Sequence, residues 1–210
     1  MRKNEKNFLV LSLIFLCIFI IIFILLKLGT FYKIDTEINS YFFKSYNLNL
    51  GNPAKFFSNI FEPSRIIFFI VLFSCLLWWR NKKSESLLFV GSIALGETIM
   101  FLLKGIIQRA RPLNSIIMGP GFSFPSGHAT ASIILFSFFI YFSGRIKSFY
   151  IKYLTILLCI LGIILVSFSR IYLRVHWFSD ILGGFALGLF SFFLVLFFIS
   201  KYNFLRNYRK

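Results

Sequence analysis

Two histidines, each inside a knot of charge at the end of an apolar run, are the residues best placed to do chemistry in this chain. His128 closes Pro125-Ser126-Gly127-His128, while His176 sits six residues after Arg170 and four before Asp180. A third cluster, Lys104 with Arg111-Pro112 seven residues on, comes earlier. Cations, imidazoles and a carboxylate at the edges of apolar stretches fit one ligand well: a phosphate group on a lipid. Lys104 offers a point charge, and Arg111 and Arg170 offer planar forks matched to phosphate oxygens. Ser126 and Gly127 come just before an apolar run, where backbone N–H groups at a helix start favour an anion. Pro125 suits entry into such a turn, and Gly127 allows close backbone approach.

Phosphate esters hydrolyse so slowly that a large barrier reduction is needed. A neutral imidazole can supply the nucleophile. His176 and Asp180, four apart, would share a face if both lay on one helix. The carboxylate could then fix the ring's tautomer and stabilise the cation formed on attack. His128 is left as the acid that protonates the departing oxygen and then as the base for water.

Lys104-x6-Arg111-Pro112, Pro125-Ser126-Gly127-His128 and Ser169-Arg170-x5-His176-x3-Asp180 resemble the three signature blocks of the type 2 phosphatidic acid phosphatase superfamily. That superfamily includes bacterial lipid phosphatases, class A acid phosphatases and vanadium haloperoxidases. The blocks cover residues 104–112, 125–128 and 169–180 in the expected order, a far more specific signal than Pro-Ser-Gly-His alone. The resemblance implies a phosphohistidine on His176, oriented by Asp180, with His128 as acid and base. It implies that Lys104, Arg111, Ser126, Gly127 and Arg170 hold the phosphoryl group, with no metal and no cofactor.

Composition sets the frame for these clusters. The chain has 210 residues, 58% hydrophobic and 14% charged, with a mean hydropathy of +0.82. Soluble domains carry about a quarter charged residues, so this reads as an all-α, polytopic membrane protein. Net charge is +16, yet the basic residues gather in short loops between apolar runs, which excludes a nucleic-acid groove. Cys17, Cys75 and Cys159 fall in separate apolar runs and read as small buried hydrophobes with no disulfide framework.

A bilayer core needs about 20 apolar residues per helix. The stretches 8–28, 64–80, 86–104, 127–143, 152–169 and 180–200 predict a six-transmembrane-helix bundle forming one domain over 1–210. The first is read as a retained anchor rather than a cleaved leader. Arg2, Lys3, Lys6, Arg80, Lys82, Lys83, Arg145, Lys147, Lys152, Lys201, Arg206, Arg209 and Lys210 share one side. These 13 of the 23 basic residues make it cytoplasmic. All three signature clusters then reach the outer face.

In the first outer loop, 29–63, Ile34, Ile38 and Phe42 beside Asp35, Glu37 and Lys44 predict a short interfacial helix. Gly51-Asn52-Pro53 and Glu62-Pro63 are expected to mark turns. Arg109 and Arg174 fall between signature positions and are read as structural or headgroup contacts. Tyr172 and Trp177 are read as interfacial belt residues. Glu97, deep in a span and seven residues before Lys104, is expected to face the bundle interior and pair with a polar group.

The expected activity is a bacterial lipid phosphatase of the cytoplasmic membrane, acting on a phospholipid or polyprenyl phosphate at the outer face. Undecaprenyl diphosphate, phosphatidylglycerophosphate and phosphatidic acid are the candidate substrates. A phosphotransferase using the same intermediate is the first alternative, and an anion transporter ranks lower because the motif cations lie at one membrane edge.

Overall fold

The computed structural model describes residues 3–117 and 119–208, and its regular elements there are all helices. In chain order they are α1 (Lys3–Lys27), α2 (Tyr32–Lys44), α3 (Leu48–Ile60), α4 (Pro63–Trp79), α5 (Lys83–Ile107), α6 (Gly127–Ser143), α7 (Phe149–Tyr172) and α8 (Phe178–Tyr208). Each of the six stretches anticipated as spans is a helix. Length divides them. Among the described residues α1, α5, α7 and α8 are long and apolar enough to cross a membrane, whereas α6 has 17 residues. The α3–α4 pair passes the same test only as one unit bent by 50°. Of the basic residues assigned to the cytoplasmic side, Arg2, Arg209 and Lys210 lie outside the described residues.

Local chemistry explains where the helices begin and stop. Asn47 and Ser126 cap α3 and α6, their side chains accepting from the N–H of Leu50 and Ala129 at 3.0 and 3.4 Å. Pro63 opens α4 at the position where a missing N–H costs nothing. Gln108 ends α5 in the left-handed region, φ +50°, and its N–H closes on the carbonyl of Lys104.

The loop at 29–63 departs from expectation. It forms two helices rather than one, and Gly51-Asn52-Pro53 lies inside α3 instead of at a turn. The Asp35 side chain is buried, so α2 is held to the protein by a polar contact as well as by its apolar side chains.

At the centre of the bundle, α8 packs against α1, α5 and α6, while α7 packs against α6 and α3. Leu88, Phe89 and Ile93 of α5, Ile134 and Phe138 of α6 and Phe192 of α8 form the main core. Two glycines let α6 and α8 touch: a Cβ on Gly184 would lie 2.7 Å from the Ser126 carbonyl oxygen, and one on Gly188 2.9 Å from that of Thr130. This is a small-xxx-small seam, the usual device where lipid removes the hydrophobic drive between helices. It also fixes the start of α6 beside the start of α8. Exposed Ile14, Ile21, Phe68, Phe69, Leu157 and Leu161 line the outside. Cys17 and Cys75 are exposed there too, contrary to the expectation that all three cysteines are buried.

Candidate active site

Antiparallel alternation brings the C-terminal ends of α5 and α7 to the same end of the bundle as the N-terminal ends of α6 and α8. Lys104 occupies the last turn of α5 and Arg170 the last turn of α7. Ser126 caps α6, with Gly127 and His128 as its first two residues, and Asp180 is in the first turn of α8. Each placement suits the helix dipole: cations at carbonyl ends, anion-attracting N–H groups at the others.

His176 lies on the turn between α7 and α8, not on a helix shared with Asp180. The pair forms all the same, for a different reason. Asp180, third residue of α8, reaches back to accept the N–H of Trp177 at 2.9 Å, and the same oxygen lies 3.2 Å from His176 Nδ1. This is the back-reaching half of a capping box, and it sets His176, one residue before the cap, four residues from Asp180.

The tautomer follows from the other ring nitrogen. Arg111 Nη1 lies 3.1 Å from His176 Nε2. A guanidinium can only donate, so Nε2 accepts and Nδ1 carries the proton offered to Asp180. The Nε2 lone pair is therefore the reactive atom.

Burial, then the charges of Arg170, Arg111 and Lys104, hold His176 well below the ordinary imidazole value of 6.5. A nucleophile must be unprotonated, and a depressed value keeps it so to lower pH. The limb of kcat/KM governed by His176 is thus expected to fall only at a pH below 6.5. A pH–rate profile in which that limb falls above pH 7 in the wild type would contradict this assignment.

Arg111 is held by carbonyls. Nη1 donates to Val175 at 2.7 Å, Nε to Gly121 at 3.1 Å and Nη2 to Pro120 at 2.9 Å, with Phe122 at 3.3 Å. Burial lowers its pKa while the nearby Asp180 charge opposes the shift. Lys104 Nζ donates to the carbonyl oxygens of Phe122 at 2.5 Å and Ser123 at 3.4 Å. Both cations thus grip the 120–123 segment, which rims the site. Arg170 is buried, donates to the Ser58 hydroxyl, and leaves its Nε–H without a partner. A buried guanidinium donor left open is costly unless an anion completes it.

His128 Nε2 lies 3.1 Å from the Ser58 carbonyl, which can only accept, so that nitrogen carries a proton. Ser126 serves structure more than anticipated. Its N–H donates to the Asp180 carbonyl at 3.0 Å and its Oγ accepts from Ala129, leaving the hydroxyl proton and the N–H groups of Gly127 and His128 for a ligand. The eight residues anticipated for the site thus converge at one end of the bundle.

Other expectations resolve differently. Arg174 makes structural contacts, its Nε donating to Asn114 at 2.9 Å while its guanidinium lies over Phe43, whereas Arg109 bonds the site carboxylate Asp180 as well as Asp35. Tyr172 is buried rather than belt-like, its hydroxyl donating to the Asn47 carbonyl at 3.2 Å. Trp177 donates to Ala110 at 2.9 Å. Glu97 points at Gly127, one oxygen 3.6 Å from where a Cβ would stand, but its Oε1 has no hydrogen-bond partner. The polar partner expected for it is absent at that atom. Among the described residues no three His, Cys, Asp or Glu side chains gather as a metal-ligand set.

Sequence reasoning missed Ser58, Asp35 and Ser179. Asp35 gave a signal: at three and seven residues before Ile38 and Phe42 it shares their apolar face, where a carboxylate needs a partner. Ser58 gave none, because nothing in sequence ties α3 to α6 and α7.

Residues 85–204 match the model of the PAP2 superfamily, which is more than half of the chain and includes all three signature blocks. The chain belongs to the PAP2 superfamily. Among curated PAP2-like relatives, phosphatidylglycerophosphatase B of Bacillus subtilis is 35% identical over 135 residues, covering 63% of this chain and 66% of that protein. Human dolichyldiphosphatase 1 is 30% identical over 135 residues, covering 59% and 56%. The chain's match thus spans somewhat under two thirds of these relatives. A solved PAP2-type phosphatidylglycerolphosphate phosphatase from Bacillus subtilis superposes with a TM-score of 0.81 at 26% identity, over 91% of this chain and 96% of that one. Aquifex aeolicus LpxE shares the fold, with a TM-score of 0.63 at 18% identity over 78% of this chain and 94% of that one.

Proposed function

We propose that this PAP2 protein is a membrane lipid phosphatase that hydrolyses a phosphate monoester or diphosphate through a phosphohistidine. One observation carries the reading: a neutral His176, its Nδ1–H on Asp180, faces Arg111 through its Nε2 lone pair, with half-buried Lys104 and buried Arg170 beside it. A soluble-anion site would not need an apolar wall. Here a cavity of about 320 Å³, lined by Ile60, Phe61, Phe73, Phe89, Leu135 and Phe136, opens between α4, α5 and α6. It begins close to the turn of α3 that carries Ser58, and it suits an acyl or prenyl tail.

The steps follow from the residues. A phosphoryl oxygen takes the Arg111 Nη1 donor from His176 and completes Arg170 Nε. Released Nε2 attacks phosphorus; the P–N bond forms, the P–O bond to the lipid breaks, and His128 gives a proton to the leaving oxygen. Asp180 balances the charge that appears on the His176 ring. Water, deprotonated by His128, then attacks phosphorus, the P–N bond breaks, and phosphate leaves.

We place six spans across the cytoplasmic membrane in a single domain, with both termini cytoplasmic and the site facing outward, on the strength of the basic loops. The substrate is undecaprenyl diphosphate, phosphatidylglycerophosphate or phosphatidic acid. Phosphate release by purified protein from these three lipids, with His176→Ala as control, tests the proposal. Orthovanadate is expected to inhibit and EDTA to have no effect. Strong EDTA inhibition reversed by a divalent metal would overturn the metal-free mechanism.

A further inference from the structure

The pair His176–Asp180 does not end at Asp180. Arg109 Nη1 donates to Asp180 Oδ1 at 2.5 Å, and its Nη2 donates to Asp35 Oδ2 at 2.6 Å. Asp35 also accepts from Ser179, the backbone N–H at 3.0 Å and the hydroxyl at 2.6 Å, while that hydroxyl accepts from Arg109 Nη1 at 2.7 Å. Asp35 is 2% exposed and Asp180 is fully buried. Asp35 belongs to α2, outside residues 85–204 that match the family and outside every signature block.

Charge explains why such a chain of contacts is needed. His176 already faces Lys104, Arg111 and Arg170, and attack on phosphorus adds positive charge to its ring. Asp180 is the counter-charge, and Arg109 sits directly on it. An unopposed Arg109 would consume that carboxylate and add a further cation to the cluster. Asp35 supplies the missing negative charge on the far side of the guanidinium, so the series Asp35, Arg109, Asp180 keeps one net negative charge available to the ring.

We propose that Asp35 is a positioning residue for the phosphatase reaction: acting through Arg109, it keeps the Asp180 carboxylate aimed and available for His176. The assignment deepens the proposed function and rests on it. It also gives α2 a task, tying a helix of the first loop to the reacting pair. Asp35 stands two residues, Arg109 and Asp180, from the His176 ring, and outer partners that orient a reacting group are worth about 10–100-fold when lost.

The test is a cycle of Asp35→Asn, Arg109→Gln and the double variant, assayed for kcat and KM on the most active lipid of the panel. Asp35→Asn keeps an oxygen able to accept from Ser179, so α2 should stay docked. It is expected to lower kcat by about 10–100-fold with KM changed less than about twofold. The double variant should be no worse than Arg109→Gln alone, because Asp35 acts only through that guanidinium. If either Asp35 variant folds poorly, Ser179→Ala removes the bridging hydroxyl alone and should lower kcat severalfold. The downfield proton resonance of His176 Nδ1–H gives a readout separate from turnover, and Asp35→Asn should shift it. An unchanged kcat and resonance, or losses that multiply in the double variant, would overturn the role of Asp35. Failure of the phosphatase reading shows elsewhere, as no phosphate release by the wild type from any lipid of the panel.

Discussion

His176→Ala is expected to reduce phosphate release by at least about 10⁴-fold, the scale seen when a covalent nucleophile is removed. The protein should still fold, since the imidazole's bonds are to Asp180 and Arg111, and both of those have other partners. KM should change little, because Lys104, Arg111 and Arg170 remain to hold the headgroup. The variant also frees one donor of Arg111, so inorganic phosphate should bind it at least as tightly as the wild type. Release that stays within about tenfold of wild type would mean that another group attacks phosphorus.

Asp180→Asn carries the second largest expected effect, about 10²–10⁴-fold in kcat. The Asp180 carboxylate accepts from three directions: Arg109 on one oxygen, Trp177 N–H and His176 Nδ1–H on the other. An amide has one acceptor oxygen, so its NH₂ must confront either the cation or the ring. Facing the ring, it would turn His176 to the tautomer whose Nε2 bears the proton, and the lone pair would be lost. The substitution also breaks a buried charge pair, at a cost of about 3–5 kcal/mol. Thermal melting should therefore drop alongside kcat, whereas His176→Ala should lose activity with much less loss of stability. Equal kcat in wild type and Asp180→Asn would remove the basis for the pairing.

Much of this was legible from sequence, and the physical reasons differ by feature. Membrane helices are announced by long apolar runs, so each anticipated stretch is helical; α4 and α6 keep the 17-residue length of the stretches 64–80 and 127–143. The candidate residues could be picked out because their types and spacing are unusual, and alternation of antiparallel helices was enough to bring them to one end. The reason for the His176–Asp180 spacing was not legible. A shared helix face and a carboxylate reaching back past a helix start both fit a four-residue spacing, and only the turn at 173–177 distinguishes them. Asp35 and Ser58 were hidden for another reason: their partners are 70 or more residues away, on α6, α7, α8 and the loop after α5. Local patterning reports which face of α2 is apolar but not which helix that face meets.

The covalent step is the claim on which the rest of the mechanism hangs, and rapid quenching tests it most directly. Purified protein mixed with a lipid carrying ³²P in its terminal phosphate, then stopped in alkali, should hold acid-labile label on His176 during turnover. That label should be absent from His176→Ala. Label retained by His176→Ala, or a wild type that turns over rapidly without ever becoming labelled, would contradict the account.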